Sequence, residues 1–354
     1  MTVAADRCGP SSPPIVLLYH RVAAMSRDPQ ALCVSPERFE RQMAHLRRET
    51  TPIGLAELIR AMASGDAPDR AVAVTFDDGY EDNLEIALPI LEAHDVPATF
   101  FITPCADDKP GEFWWDDLER IILSAPRLPR ELSVDIGGDP FHWRCDAGAA
   151  DAPSDPAWNV LSADDPTPRQ QLYLALCRLL RPLPVVERDA ILSKLRDWSG
   201  VRDDVRPTHR RLTTAQIKSL AARPPADIGA HTLWHPVLAA LRPTEQRREI
   251  AGSQRRLEAI VGRAVTAFSY PFGCRGDYSR ETVNIVRRAG FTCACANSGR
   301  EPHPSATLDH AVDALAIPRA VVRDVDAAVF ARQLQRAWAS RIPTTSADHA
   351  AAPA

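Results

Sequence analysis

Two groups of residues in this sequence are of types that hold a metal ion. Asp77 and Asp78 directly follow the apolar stretch Ala71–Phe76, and His231 and His235 follow a shorter apolar stretch much later in the chain. Adjacent carboxylates repel each other, so a metal ion or a shared proton is needed to make the pair tolerable. Two imidazoles four residues apart can reach one point from a helical turn or a compact loop.

Taken alone, either pair has an ordinary structural explanation: a solvated turn after a strand, or histidines that only hydrogen-bond. Together they favour a metal site. Two imidazoles and one carboxylate form a facial ligand set for a divalent cation, with coordination positions left for water and substrate. The second carboxylate is then free to act as a base.

The stretch that positions the two aspartates predicts a buried strand. Residues 71–76 carry no charge, as expected for a strand buried on both faces of a parallel sheet. A helix over 83–94 and a second strand over 96–102 would complete a βαβ unit with a right-handed crossover. Asp77 and Asp78 would then lie at the carboxyl end of the strand, where α/β folds place their chemistry.

A first strand is predicted over Ile15–Tyr19, and it ends in His20, which is either an active-site group or a loop residue that only hydrogen-bonds. Ser35 is predicted to cap the following helix. The strand–helix alternation breaks over 103–212, which we interpret as an insertion with helices near 170–181 and 185–198. Trp114 and Trp115 open this insertion and either stack on a ligand or pack inward.

Composition excludes several classes of protein. The chain has 354 residues with a formal net charge of -4, and its arginines form no tract, so charge gives no argument for nucleic acid or an anionic membrane. Eight cysteines without a CxxC pair predict free thiols.

The first thirteen residues lack a signal sequence and no apolar run could cross a bilayer, which predicts a cytoplasmic location. We expect one domain over 14–340, with disordered ends over 1–13 and 341–354.

Three motifs resemble a known family. TFDDG at 75–79, HTLWHP at 231–236 and FSYPFG at 268–273 resemble, in order, the motifs of NodB-type polysaccharide deacetylases, carbohydrate esterase family 4. The resemblance extends over roughly Ile15 to Phe330. It implies an α/β fold, a distorted (β/α) barrel of about seven parallel strands with a helical insertion, and a metal-dependent N-deacetylase site.

The resemblance also implies roles for individual residues. Asp77 corresponds to the general base, and Asp78, His231 and His235 correspond to the metal ligands. The backbone N–H near Phe272 corresponds to the group that helps to hold the oxyanion, with Tyr270 in the same motif at the substrate. The implied cofactor is a divalent metal, Zn²⁺ first, with Co²⁺, Ni²⁺ or Fe²⁺ as alternatives.

Two departures from the family pattern concern the proton transfers. The third motif often begins with an arginine that orients the base, and Ser269 stands there instead. We predict that Arg319, which follows the apolar stretch 314–317, takes that part. The general acid stays open between His20, His310 and protonated Asp77.

The expected activity is release of acetate from an N-acetylated amino sugar by hydrolysis of an amide C–N bond. A cytoplasmic location would favour a nucleotide-, lipid- or glycoside-linked amino sugar over cell-wall polymer. The alternatives are the same site acting on a non-carbohydrate amide or imide, and a non-catalytic carbohydrate-binding barrel. The sequence leaves the oligomeric state open.

Overall fold

The computed structural model describes residues 12–104, 111–146, 155–297 and 313–339. Strands occur throughout these ranges. They are β1 (Ile15–Tyr19), β2 (Arg21–Val22), β3 (Cys33–Val34), β4 (Thr51–Pro52), β5 (Ala71–Phe76), β6 (Ala98–Ile102), β7 (Glu131–Ile136), β8 (Asp139–Arg144), β9 (Ala226–Ala230), β10 (Ala267–Ser269), β11 (Cys293–Cys295) and β12 (Ala320–Val321).

Seven of these strands form one curled parallel sheet in the order β11-β10-β9-β6-β5-β1-β12, and β4 adds to the start of β5. The segment just before β12 also reaches the opposite edge, because the N–H of Ile317 donates to the carbonyl of Ala294 at 2.8 Å. The result is a half-barrel whose two edges are bridged by one stretch of chain. The predicted α/β fold with about seven parallel strands is confirmed.

Helices connect these strands and pack on the outside of the sheet. They are α1 (Pro36–Glu49), α2 (Leu55–Ser64), α3 (Leu88–Ala93), α4 (Trp114–Ile122), α5 (Pro168–Leu180), α6 (Val185–Ser199), α7 (Thr214–Ala221), α8 (Pro243–Val261), α9 (Arg280–Arg288) and α10 (Ala327–Ala339). The helix predicted over 83–94 begins as a π-helical turn, Asn83–Ala87, before it continues as α3.

The central strands are fixed by aromatic packing directly beneath the candidate site. The ring of Phe76 on β5 stacks between Tyr19 on β1, at 5.4 Å, and Phe100 on β6, at 4.9 Å. All three are fully buried. Burial of such a side chain contributes about 1.5–3 kcal/mol, so this stack sets the register of three strands one residue before Asp77.

The insertion has its own apolar cluster, built from α4, α5, α6 and the hairpin β7–β8. Helices α5 and α6 agree with the two predicted helices. The hairpin and α4 were not predicted, although β7 alternates exposed and buried side chains in the way a half-buried strand does. Gly137 and Gly138, both with positive φ, form its turn.

Ser35 precedes α1 as expected, but its hydroxyl does not cap the helix. It donates instead to Asp324 at 2.8 Å, so the prediction of a serine side-chain cap is wrong. The six cysteines of the described ranges are free, and of these Cys293 and Cys295 are buried.

The expected disordered ends, 1–13 and 341–354, fall almost entirely outside the described ranges, and the single domain over 14–340 stays a prediction. None of the helices in these ranges is long and apolar enough to span a membrane. The cytoplasmic location also stays a prediction.

Candidate active site

Asp78, His231 and His235 converge at the carboxyl ends of the strands. Asp78 follows β5 and His231 follows β9, and all three side chains are buried. One carboxylate oxygen of Asp78 lies 3.5 Å from Nε2 of His231 and 3.4 Å from Nε2 of His235. The three potential ligand atoms lie within 4.8 Å of one another. One carboxylate and two imidazoles at this spacing fit a divalent transition-metal ion and leave coordination positions open.

The backbone at these residues adopts conformations that are rare outside glycine. The φ angle is +74° at Asp78, +64° at Thr232 and +53° at His235. Such conformations cost free energy and persist where neighbouring contacts hold them, as they often do at functional sites. Here the Thr232 hydroxyl accepts from the N–H of His235 at 3.1 Å. Glu249 accepts from the N–H groups of the two residues between them at 2.9 and 3.0 Å.

Hydrogen bonding and burial determine which nitrogen of each imidazole could bind a metal ion and whether the ring is neutral. Nδ1 of His231 donates to the carbonyl of Ser269 at 2.8 Å, so in the neutral imidazole the lone pair lies on Nε2. Nδ1 of His235 has no hydrogen-bond partner within the described ranges. Burial lowers the pKa of His235 to about 4, so its imidazole is neutral, the form that binds metals.

Asp78 is ionised although it is buried. Burial raises the pKa of this carboxyl, but its hydrogen bonds with His231 and His235 outweigh burial and hold the pKa well below its usual range. The triad therefore contains an ionised carboxylate that faces two imidazoles.

Asp77 lies beside the triad but has a different partner. Its two carboxylate oxygens accept from Nη1 and Nη2 of Arg319 at 2.8 and 2.6 Å, and the Ser269 hydroxyl donates to it at 3.1 Å. Burial raises the pKa of Asp77, but the charges of Arg319 and His231 hold it below its usual range. Asp77 is thus an ionised carboxylate held in one orientation and separate from the three potential ligands.

Arg319 is fully buried, and each of its nitrogens is hydrogen-bonded. Nε donates to the carbonyl of Ala296 at 3.2 Å, Nη1 to the Thr75 hydroxyl at 3.2 Å and Nη2 to the Ser269 hydroxyl at 2.9 Å. A planar guanidinium with these anchors presents a fixed fork to the Asp77 carboxylate. This is the side chain predicted to stand in for the family's orienting arginine.

A cavity of about 410 Å³ opens over these residues, within the range of roughly 300–1,000 Å³ found for small-molecule sites. Eight residues singled out in the sequence line it. They are His20, Asp77, Asp78, Trp114, Trp115, His231, His235 and Phe272. The cavity therefore brings together side chains from the barrel and from the insertion.

His20 enters this cavity from the end of β1. Burial lowers the pKa of its imidazole, whereas the carboxylates of Asp78 and Asp77 oppose that shift. The imidazole is therefore neutral at pH 7 before any reaction. His310, the other histidine considered as an acid, lies outside the described ranges.

Aromatic rings form one wall of the cavity. The rings of Trp115 and Phe272 lie 4.9 and 4.6 Å from that of His235. Nε1 of Trp115 donates to the Tyr80 hydroxyl at 2.8 Å, and that hydroxyl donates to Asp116 at 2.7 Å. Burial raises the pKa of Asp116 to about 7. A buried chain of hydrogen bonds from Trp115 through Tyr80 to Asp116 thus holds this aromatic wall in position.

The backbone N–H of Phe272 is a hydrogen-bond donor in the cavity wall. Its φ is +60°, and its carbonyl accepts from Nδ2 of Asn297 at 3.3 Å. Its own N–H has no acceptor within the described ranges. The Arg181 guanidinium lies 4.2 Å above the Phe272 ring and pairs with Asp277 at 2.5 Å.

Tyr270 does not lie where the resemblance implied. Its hydroxyl donates to the carbonyl of Leu315 at 2.8 Å and its ring stacks on Tyr278 at 4.1 Å, within the main apolar cluster. The side chain therefore packs in the core and is absent from the cavity lining, which corrects its assignment to the substrate.

Sequence reasoning missed several residues of the cavity wall. Asn297 lies two positions after β11, so its place at a strand end was a usable signal. Arg178 and Arg181 belong to α5 and its end, and no local pattern indicates that this part of the insertion reaches the site. Asp116 supports the cavity wall through its hydrogen bond with Tyr80. No local sequence pattern indicates this contact.

Comparisons with known proteins agree with this architecture. Residues 64–123 and 203–294 match the family model described as polysaccharide deacetylase. A segment of 113 residues is 29% identical to the poly-β-1,6-N-acetyl-D-glucosamine N-deacetylase of Escherichia coli strain K12 and covers 31% of this chain. The chain spans only about a sixth, 17%, of the length of that relative.

Solved structures show the same fold at low identity. The deacetylase PplD from Streptococcus pyogenes, solved with acetate, has a TM-score of 0.54 at 16% identity over 91% of this chain and 98% of its own. IcaB from Ammonifex degensii has a TM-score of 0.52 at 18% identity over 92% of this chain and 97% of its own. The family match, the order of the motifs and the half-barrel agree, and the chain is similar to polysaccharide deacetylases in its motifs and in its fold.

Proposed function

We propose that this protein is a metal-dependent hydrolase that removes the acetyl group from an N-acetylated amino sugar. The observation that carries the proposal is the division between two adjacent carboxylates. Asp78 faces two imidazoles, whereas Asp77 is held apart from them by Arg319. Metal-assisted amide hydrolysis uses a cation site and a separate base, and this division of the two carboxylates supports that mechanism.

The residues present fit a divalent cation, with Zn²⁺ as the first candidate. Two Nε2 atoms and one carboxylate oxygen are grouped within 4.8 Å, and the second nitrogen of His231 is fixed by Ser269. A cation held by Asp78, His231 and His235 would supply Lewis acidity, which polarises an amide carbonyl and makes water more acidic.

Asp77 is assigned as the general base. It takes a proton from the water that attacks the acetamide carbonyl carbon, and its fixed carboxylate limits the directions from which that water can approach. Arg319 touches Asp77 from the side away from the cavity, so it is a positioning residue. By keeping Asp77 ionised, it keeps the base ready at neutral pH.

The N–H of Phe272 is assigned as a donor to the oxyanion of the tetrahedral intermediate. A donor of this kind, placed where negative charge develops, contributes about 3–4 kcal/mol. Trp114, Trp115 and the Phe272 ring supply apolar surface around the acetyl group and the sugar ring.

The leaving amine needs a proton, and we assign its donor to one of two groups that line the cavity. One is Asp77, which has just taken a proton, and the other is His20. His20 begins neutral because burial lowers its pKa, so it serves as donor only after it has received that proton. The variant His20→Ala separates the two: unchanged turnover assigns the transfer to Asp77, and a loss of about 10²-fold or more assigns it to His20.

The direct test is acetate release. Oligomers of β-1,6-linked N-acetylglucosamine are the first substrate to try, because the E. coli relative is named for that polymer. We expect acetate from these or from other N-acetylglucosamine derivatives, loss of activity with a chelator, and recovery with Zn²⁺ or Co²⁺. Activity only on acetamides without a sugar would identify the amide alternative, and no turnover of any acetamide would contradict the proposal.

A further inference from the structure

A second cavity, of about 320 Å³, lies next to the candidate active site. It is bounded by the start of α4, by α6 and by the loop that carries the two histidines. Trp114 lines both cavities, and Trp234, which stands between His231 and His235 in the chain, lines the second one. The two cavities therefore share the Trp114 side chain, and two indole rings line the second cavity.

Arg188 of α6 lines this second cavity and is 3% exposed. Within the described ranges, its Nε and Nη1 have no hydrogen-bond partner, and no carboxylate forms an ion pair with it. The Trp114 ring lies 5.2 Å from its guanidinium carbon. A buried cation without hydrogen bonds or an ion pair is costly, so such groups normally have a partner.

The other charges around the cavity do not neutralise Arg188. Asp189 is exposed, and Glu249 is committed to the backbone N–H groups of the histidine loop. Although both raise the pKa of Arg188, burial has the larger effect and lowers it to about 10.

The remaining carboxylates of the cavity already have partners. Asp117 pairs with Arg120 and Arg196, and Glu112 pairs with Arg206. Arg211, in contrast, donates to the carbonyl of Gly111 at 3.3 Å and lies 5.1 Å over the Phe113 ring, and no carboxylate of the described ranges forms an ion pair with it. Within the described ranges, neither Arg188 nor Arg211 forms an ion pair, and Asp189, the carboxylate of the same lining that lies near both, is exposed to solvent.

We propose that this cavity is a subsite for an anionic group, a carboxylate or a phosphate ester, carried by the sugar residue next to the one that is deacetylated. This rests on the proposed function, since it takes the neighbouring cavity as the place of reaction. The guanidinium of Arg188 would bind the anionic oxygens through its two unused donors, assisted by Arg211. The rings of Trp114 and Trp234 would contact the sugar faces, because indole offers a large flat apolar surface.

The proposal names a substrate class: an acidic saccharide, in which an N-acetylated amino sugar adjoins a uronic acid or a phosphorylated sugar. An uncharged polymer would leave Arg188 unpaired in the complex as well. The acidic sugar would instead supply the partner that the fold lacks.

Binding of two anions tests this without turnover. The full-length protein is titrated with D-glucuronate, with glucose 1-phosphate and with uncharged D-glucose at constant ionic strength, and tryptophan fluorescence is followed. None of these probes has an acetamide, so the result is independent of whether the protein is a deacetylase. We expect saturable binding of at least one anion and much weaker binding of glucose, and the preferred anion identifies the carboxylate or the phosphate as the source of charge.

Three variants locate the binding. Arg188→Met and Arg211→Met should each weaken it by about tenfold or more, since each removes charge-assisted hydrogen bonds. Lys194→Met, an equal loss of charge on an exposed position of α6, should leave it unchanged. Arg211 is half-buried, so its variant also serves if Arg188→Met does not fold. Absence of saturable binding of either anion, or unchanged affinity in the folded arginine variants, would overturn the proposal.

Discussion

Arg319 and Asp77, 242 positions apart in the chain, form a bidentate ion pair with N–O distances of 2.8 and 2.6 Å in the core of the barrel. The arginine comes from the segment just before the last strand and reaches the aspartate beside Ser269. Because serine is small, the position where the family often has an arginine leaves room for a guanidinium that arrives from elsewhere. We propose that Arg319 makes, from a different part of the chain, the contact that the family's arginine makes from that position.

Removal of Arg319 should affect both stability and turnover. Arg319→Met leaves the buried Asp77 carboxylate without its partner, which costs about 3–5 kcal/mol of unfolding free energy. Arg319→Lys keeps the charge but loses the fork, and we expect kcat to fall by about 10²-fold because the base is misplaced. Urea unfolding and steady-state kinetics measure the two effects. Arg202→Met, at an exposed position, is the control, and full activity in Arg319→Met would contradict the positioning role.

Gly79 should tolerate no side chain. Its φ is +87°, and an added Cβ would lie 2.9 Å from Cγ2 of Ile102, whose carbonyl accepts from the N–H of His231. Gly138 has the same φ within a degree, +88°, and open space around it. Alanine at either position should lower the free energy of unfolding by about 1–2 kcal/mol, because an L-residue is strained in this left-handed backbone conformation.

Gly79→Ala should lower the free energy of unfolding by about 1–3 kcal/mol more than Gly138→Ala, because its Cβ overpacks against Ile102. Of the two variants, only Gly79→Ala should bind the metal more weakly. Urea unfolding and Zn²⁺ titration of the two variants test this. Equal losses of stability, with metal affinity retained in both, would show that the contact with Ile102 does not matter.

Asp116 should make stability depend on pH. Its pKa is about 7 in the folded protein, whereas an aspartate in an unfolded chain has a pKa of about 3.9. The folded state therefore binds more protons between these values, so the Asp116 contribution to the unfolding free energy falls as pH rises through that range. Asp116→Asn keeps an acceptor for Tyr80 but cannot ionise.

The measurement is urea unfolding at several values between pH 4 and pH 8. The difference in unfolding free energy between the Asn variant and the wild type should grow in favour of the variant as pH rises to 7. Asp165→Asn, at an exposed position, should show no such trend. A difference that stays constant across this range would mean that Asp116 remains ionised throughout.

Local patterns predicted those parts of the molecule whose constraints are local. Ala71–Phe76 agrees residue for residue with β5, since a strand buried on both faces must be apolar without interruption. The triad and Asp77 could be singled out because each group directly follows a buried strand or belongs to a tight loop. Arg319 required the resemblance as well as the strand pattern.

The parts that could not be predicted depend on contacts across the fold. The apolar residues of helix α4 do recur at helical spacing, but its polar residues Asp116, Asp117 and Glu119 are buried as well, and the sequence gives no sign of that. The Trp115–Tyr80–Asp116 chain joins two distant segments. Arg188 has a typical surface residue's sequence context, and only the packing of the insertion shows that it is buried without a partner.

The central claim is that two adjacent carboxylates have separate tasks, and the metal content of two matched variants tests it most directly. Asp77→Asn and Asp78→Asn are purified, loaded with Zn²⁺ and analysed for bound metal and acetate release. The account predicts about one ion per chain with turnover lost in Asp77→Asn, and loss of both metal and turnover in Asp78→Asn. Equal metal content in the two variants, or an active Asp77→Asn, would contradict it.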